Sequence, residues 1–365
     1  MKKIGIYTFW NVPNYGTFAQ AYALQKVISE RYPACSCKQI GYLDKKHYNA
    51  YYSAFKGRPW HREFYTTLLS YVLPHSVAQN RRKQFLEAYK TIPHVDVKTR
   101  EQVESEAFDV VMIGSDIVWD YSIPIFNRDK LLFGIGFHSK CVVSYGASFG
   151  TVKESAKHPQ YVVEGIMKMD AISVRDDKSQ RIVFSITGEN PPVVLDPTWL
   201  WDFSSDTNIK EVTYKNYIVV YGQDFSDEFI QQIISYSRKK RLKIICLDCN
   251  NDNYSWCDIV IKQHELSPYQ WIAMFKYADL IATSTFHGIT FSLIFQKKFA
   301  FAKTDFIMAK CENFLKELGL YDRFANNDSV ERMIEDEWDY NRIESIIGNK
   351  RAASFAYLDK VILGV

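Results

Sequence analysis

Leu280-Ile281-Ala282-Thr283-Ser284-Thr285-Phe286-His287-Gly288-Ile289-Thr290-Phe291-Ser292-Leu293-Ile294-Phe295 joins two apolar runs through a polar turn. Leu280 to Ala282 reads as a buried strand. Ile289 to Phe295 reads as a helix, because Ile289, Leu293 and Ile294 recur at helical spacing. A strand that passes directly into a helix is the building unit of an α/β fold. At such a turn the helix N-terminus carries a partial positive charge that suits an anion. Ligands of open α/β sheets gather at the carboxyl ends of the strands. His287 therefore has two readings: a cap or packing residue, or a titrating side chain beside a phosphorylated ligand.

The same alternation extends outward on both sides. Upstream, strands are expected at Tyr217 to Tyr221, Lys243 to Leu247 and Asp258 to Ile261, with a helix from Asp227 to Lys240. Ser267-Pro268-Tyr269-Gln270 starts another helix, with Ser at the N-cap, Pro at N1 and Gln at N3. Downstream come a strand, Phe299 to Ala302, and a helix from Lys310 that Gly319 stops. The chain opens with a strand, Ile4 to Phe9, a helix from Thr17 to Arg31 and a strand near Lys38 to Tyr42. Further strands are predicted at Asp109 to Ile113, Cys141 to Ser144, Ala171 to Val174 and Val193 to Leu195. Trp199 to Thr213 is polar and reads as a linker. The expected organisation is a first domain at 1–198, a second at 199–340 and a C-terminal helix at 341–365. Two domains suit 365 residues.

Residues 45–85 interrupt this pattern with basic and aromatic side chains, including Lys45, Lys46, Tyr48, Tyr51, Tyr52, Trp60, Arg62, Tyr65, Arg81, Arg82 and Lys83. The segment reads as a helical insertion packed on its domain. It also has the composition of a surface that lies on an anionic membrane. The formal net charge of +3 gives no whole-chain field to argue for nucleic acid. The seven cysteines lack metal-ligand spacing, and an odd count suits free thiols. No apolar run reaches the ~18 residues of a membrane span. The expected location is cytoplasmic.

Loops at the carboxyl ends of the strands carry the chemistry. Asn14-Tyr15-Gly16 precedes the first helix, where a glycine lets the backbone approach a ligand or simply makes a turn. Gly114-Ser115-Asp116 follows a buried strand. Asp116 reads as a base or hydroxyl acceptor, or as an N-cap. Tyr145-Gly146-Ala147-Ser148-Phe149-Gly150 is small and polar. Arg175 ends a strand, where its fork matches a phosphate or carboxylate, or pairs with Asp176. Asp196-Pro197-Thr198 reads as a domain end. Lys303 is either a point charge for phosphate or a solvated side chain.

In order and spacing these segments resemble the polysaccharide pyruvyl transferase family. The matching stretches are Asn14-Tyr15-Gly16 with Gln20-Ala21-Tyr22-Ala23-Leu24, Gly114 to Trp119, Ser144 to Gly150, Ile172 to Asp176, Leu195 to Thr198 and Ala278 to Ser292. The resemblance implies two Rossmann-like domains in a GT-B-like arrangement, with the active site in the cleft between them. It implies transfer of pyruvate from phosphoenolpyruvate to two hydroxyls of a glycan or lipid-linked sugar, giving a ketal and phosphate, in bacterial surface-polysaccharide synthesis. Phosphoenolpyruvate is then a substrate, and neither a metal nor a cofactor is called for. His287 and Asp116 are the implied catalytic residues. Arg175, Ser284, Thr285, Gly288 and Lys303 fall on the donor side; Asn14, Tyr15, Gly16, Ser115 and Ser148 fall on the acceptor side.

One position departs from the pattern. Several members carry an arginine two residues before the histidine, and here Thr285 stands there. Either another cation, such as Lys303, replaces it, or the donor differs. A nucleotide-sugar glycosyltransferase and a catalytically silent scaffold are the competing readings.

Overall fold

The computed structural model describes residues 1–52, 62, 65, 68–69, 77–247, 253–262, 265–302, 304, 312–321 and 330–364. Lys303, Trp60 and much of the expected insertion lie outside the described residues. The chain divides into two compact units. The first comprises Met1–Arg82, Leu86–Trp201 and Asn349–Val365, and the second Lys83–Phe85 and Asp202–Gly348. The end of the C-terminal helix thus belongs with the first unit.

In chain order the first part forms β1 (Lys2–Tyr7), α1 (Tyr15–Arg31), β2 (Cys35–Ile40), α2 (Lys45–Tyr52), α3 (Val77–Tyr89) and β3 (His94–Val95). It continues with α4 (Arg100–Ser105), β4 (Ala107–Phe108), β5 (Val110–Ile113), β6 (His138–Ser139), β7 (Val142–Ser144), α5 (Gln160–Lys168) and α6 (Asp177–Thr187). Five strands make a parallel sheet in the order β3-β2-β1-β5-β7. The expected strands at Ala171 to Val174 and Val193 to Leu195 are present only as single bridges, Val143 with Ala171, Ala147 with Val174 and Val174 with Val193. They extend the sheet edge without forming ladders. β2 begins earlier than expected, because Cys35 to Cys37 pair in register with Lys2 to Ile4. Gly5 in β1 lets the Phe108 ring lie close, since an added Cβ would stand 2.8 Å from it.

The second unit repeats the plan with β8 (Tyr217–Tyr221), α7 (Asp227–Lys240), β9 (Lys243–Leu247), β10 (Ile259–Ile261), α8 (Pro268–Lys276), β11 (Leu280–Thr283), α9 (Phe286–Ile294), β12 (Lys298–Phe301) and α10 (Val330–Glu335). Its parallel sheet runs β10-β9-β8-β11-β12. The predicted start of α8 is observed as a full capping box, with Ser267 at the N-cap and Gln270 at N3. Of the expected linker, Trp199 to Thr213, Trp199 closes a short 3-10 helix (Pro197–Trp199), and residues 200–213 hold neither helix nor strand.

The last helix, α11 (Tyr340–Leu363), ends in the first unit. There Tyr357 donates to the Ser144 carbonyl at 2.7 Å, Ser354 Oγ accepts from Leu195 N at 3.0 Å, and Asp359 pairs with Arg31 at 2.7 Å. Both sheets are covered by apolar cores, one around Val111, Ile113, Trp119 and Phe149, the other around Val220, Ile233, Leu280 and Ala282.

In each sheet the chain builds outward in one direction and then reverses. The reversal falls between β1 and β5 in the first sheet and between β8 and β11 in the second. Loops at these carboxyl ends diverge and leave room for a ligand.

Candidate functional site

At the first reversal, the loop after β1 meets the loop after β5. Thr8 Oγ1 donates to the Ser115 carbonyl at 2.8 Å, which ties the two together. Asn14 is the N-cap of α1 and accepts from Thr17 N at 3.1 Å. Tyr15 and Gly16 are thus the first helical residues, two positions before the predicted start. The Asp116 carboxylate lies against this turn, accepting from Thr17 Oγ1 at 3.2 Å and from Ile117 N at 2.8 Å. Asp116 caps no helix. It holds φ at +84°, a left-handed conformation that costs a non-glycine residue energy. A parallel bridge to Ala147 and the Ser148 N–H on its carbonyl at 2.9 Å fix it there.

Arg175 reaches the same place. Its guanidinium lies 2.8 Å from Asp196 and 3.5 Å from Asp116. Burial works against its charge, but the carboxylates of Asp196 and Asp116 outweigh that, so its proton is held more firmly than usual. Asp176 is not its hydrogen-bond partner: it caps α6 by accepting from Ser179 N at 2.8 Å. Asp196 also accepts from Thr198 N and Oγ1, at 3.1 and 2.8 Å. Tyr145, fully buried, donates to the Leu195 carbonyl at 3.0 Å and fixes the chain beside it.

At the second reversal, the loop after β8 meets the loop after β11. Ser284 Oγ accepts from Gln223 N at 2.8 Å and donates to Gln223 O at 2.7 Å. Thr283 Oγ1 donates to Tyr221 O at 2.5 Å. Thr285 is the N-cap of α9, and its Oγ1 accepts from Gly288 N at 3.0 Å. The helix therefore starts at Phe286, three residues before the predicted apolar run, because a threonine cap recruits the polar turn into it. His287 occupies the second helical position, half-buried, with its ring edge-on to Phe286 at 5.1 Å. Gly288 is required by space, since a Cβ there would overlap the Thr283 hydroxyl.

The first unit thus brings together Asn14, Tyr15, Gly16, Ser115, Asp116, Ser148 and Arg175, and the second holds Ser284, Thr285, His287 and Gly288. Two assignments change in character. Ser115 is wholly buried and donates to the Gly146 carbonyl at 3.2 Å, so its hydroxyl shapes the loop. Ser148 is buried and accepts from Gly150 N at 3.1 Å. Sequence reading missed Thr17 and Asp196. Asp196 had a signal, since an arginine at a buried strand end requires an opposite charge. Thr17 had none beyond its place in the first turn of a helix.

Two parallel five-stranded sheets, each with its loops clustered at the reversal, define a pair of Rossmann-like units of the GT-B fold class. A UDP-N-acetylglucosamine 2-epimerase shares this fold, with a TM-score of 0.54 at 9% identity over 99% of this chain and 95% of that one. S. aureus MnaA with UDP gives 0.51 at 12% identity over 100% and 98%. The Methanocaldococcus jannaschii UDP-GlcNAc 2-epimerase gives 0.49 at 11% identity over 98% and 100%. No curated protein matches the sequence significantly. The family model for polysaccharide pyruvyl transferase matches residues 14–304, and the chain belongs to that family.

Proposed function

We propose that this protein transfers pyruvate from phosphoenolpyruvate onto two hydroxyls of a glycan or lipid-linked sugar during surface-polysaccharide synthesis. The observation that carries the reading is His287 at the second position of α9, in a chain of the pyruvyl transferase family. The first turn of α9 contains no acidic residue, and its partial positive charge favours a phosphate. Ser284, Thr285 and Gly288 shape that turn for the donor.

The chemistry runs as two additions. His287 protonates the methylene carbon of the donor, making it a methyl group and leaving an oxocarbenium centre at C2. A sugar hydroxyl bonds to C2 and gives its proton to a base, with Asp116 in that role. The C2–O bond to phosphate then breaks, phosphate leaves with the electron pair, and the second hydroxyl adds and loses its proton. The loops around Asn14, Tyr15 and Gly16 line the acceptor side. Lys303 is the proposed extra cation in place of the arginine that Thr285 replaces.

Phosphate release from phosphoenolpyruvate that depends on added glycan, and that vanishes in His287→Ala, is the expected result. Turnover that survives this substitution would remove His287 from the mechanism. The UDP-bound relative of the same fold motivates a second reading, a nucleotide-sugar transferase. Thermal stabilisation by UDP- or GDP-sugars, with none by phosphoenolpyruvate, would favour it.

Among the described residues no helix is long and apolar enough to cross a membrane. The basic and aromatic segment 45–85, where Tyr48, Tyr65 and Leu69 are exposed, supports peripheral contact with an anionic bilayer that carries the acceptor. Flotation with anionic vesicles, and not with neutral ones, is expected.

A further inference from the structure

Asp116 is held by a chain of contacts that begins inside the first unit, at Gln20. This side chain lies on α1, one turn beyond Thr17, and is wholly buried. Its amide nitrogen donates to Thr8 Oγ1 at 3.3 Å and to the Thr17 carbonyl at 3.0 Å. The amide can face only this way. Thr8 spends its hydroxyl hydrogen on the Ser115 carbonyl at 2.8 Å, and the Thr17 carbonyl has no hydrogen to give, so both neighbours require a donor. Gln20 thus joins the residue that follows β1 to the first turn of α1, and each of the two supports the Ser115–Asp116 loop. Thr8 holds the Ser115 carbonyl, and Thr17 Oγ1 donates to Asp116 Oδ2 at 3.2 Å. The other carboxylate oxygen, Oδ1, has different partners, Ile117 N at 2.8 Å and the Arg175 guanidinium at 3.5 Å.

Stability does not call for an amide at this position. Gln20 Oε1 is buried and accepts no hydrogen bond among the described residues, a cost that an apolar side chain of similar volume avoids. What the amide supplies is direction. Asp116 sits at φ +84°, a conformation that lasts only where the surrounding groups fix it.

We propose that Gln20 is a positioning residue: through the hydroxyls of Thr8 and Thr17 it fixes the Asp116 carboxylate in the orientation that takes the proton of the acceptor hydroxyl. This inference rests on the pyruvyl-transfer reading. In the step it serves, the acceptor oxygen bonds to C2 of the donor while its proton passes to Asp116. The donor's methylene carbon has already gained its proton. The C2–O bond to phosphate breaks afterwards, and phosphate keeps the electron pair.

The test compares the full-length wild type with Gln20→Met, Thr17→Val, Thr17→Ser, Thr8→Val and Thr8→Ser. Each is assayed for phosphate release from phosphoenolpyruvate with a panel of p-nitrophenyl hexosides and N-acetylhexosaminides as acceptors, and each is melted thermally. Gln20→Met should melt no lower than the wild type, because the orphaned oxygen goes with the amide. It should nevertheless lose about 10²-fold in kcat, the typical cost of a group displaced by ~1 Å. Thr17→Val and Thr8→Val should also slow turnover, and the serine variants, which keep the hydroxyl, should recover most of it. Activity and melting temperature that fall together in Gln20→Met would make Gln20 a packing residue and overturn the inference. Wild-type kcat in Gln20→Met, or serine variants as slow as the valine ones, would overturn it as well. These outcomes leave the pyruvyl-transfer reading standing. A wild type that neither binds phosphoenolpyruvate by calorimetry nor turns it over would instead remove the underlying reaction, and the inference with it.

Discussion

The two strand-to-helix turns, β1 to α1 and β11 to α9, are built on one plan and furnished with different side chains. Each lies at the reversal of a parallel sheet, and each helix is capped by a side chain, Asn14 in one and Thr285 in the other. The first turn receives a carboxylate from another loop, Asp116, backed by Arg175 and Asp196. The second places a histidine in the helix itself. A helix N-terminus is a general anion site, and what the neighbouring loops contribute decides whether it remains one. In the first unit the protein supplies its own anion; in the second the turn is left to a donor phosphate under the proposed reaction.

The largest expected effect breaks the comparison on the second side. His287→Ala should lower kcat by about 10²–10⁴-fold, as for a lost general acid or base, with little change in melting temperature because the side chain is half-exposed. Stopped-turn assays of phosphate release together with thermal melts check both halves of that statement.

Asp196→Ala acts on the first side and should be read as stability. It leaves the Arg175 charge short of its closest buried partner, at a cost of about 3–5 kcal/mol by urea unfolding. An equally large loss from a matched surface pair such as Arg181–Glu154, whose side chains are both largely exposed, would show that burial does not distinguish them.

Acid should also act on the first unit. His47 on α2 packs on Phe9, just after β1, at 4.9 Å and on Phe126 at 5.2 Å. Burial pushes its imidazole down from 6.5 to about 4, against a smaller opposing pull from Asp44. The folded state therefore holds His47 neutral where the unfolded chain takes up a proton. The stability this represents is present above pH 6.5 and is lost as pH falls toward about 4, a drop on the order of 3 kcal/mol. His47→Gln should flatten the melting profile across that window. An unchanged profile would place the acid sensitivity elsewhere.

The caps give the smallest effect and the sharpest contrast. Asn14→Ala and Thr285→Ala should each cost about 1 kcal/mol. Thr285→Asp should keep the cap and its stability but repel phosphoenolpyruvate, which calorimetry would register as lost binding. Retained donor affinity in that variant would argue against a phosphate at α9.

Much of this was legible in the residues because its causes are local. The strand at Leu280, the capping box at Ser267 and the long C-terminal helix each follow from patterns within a few positions. The helices capped by Asn14 and Thr285 start at Tyr15 and Phe286, two and three residues before the positions the sequence pattern indicates, because the apolar period marks the buried face and not the cap that precedes it. The edge segments near Ala171 and Val193 looked like strands, yet only tertiary packing determines whether an apolar run finds enough partners to form a ladder.

The sequence by itself determined a chain of two α/β units, the polar turns at their strand ends and, through the order of those turns, the family. Only the tertiary structure decided that Asp116, Arg175 and Asp196 form one charged cluster, that Ser115 turns inward, and that the C-terminal helix returns to the first unit. The reason is physical: period and capping act between neighbours along the chain, whereas a buried charge is satisfied by whichever partner the folded sheet brings within reach.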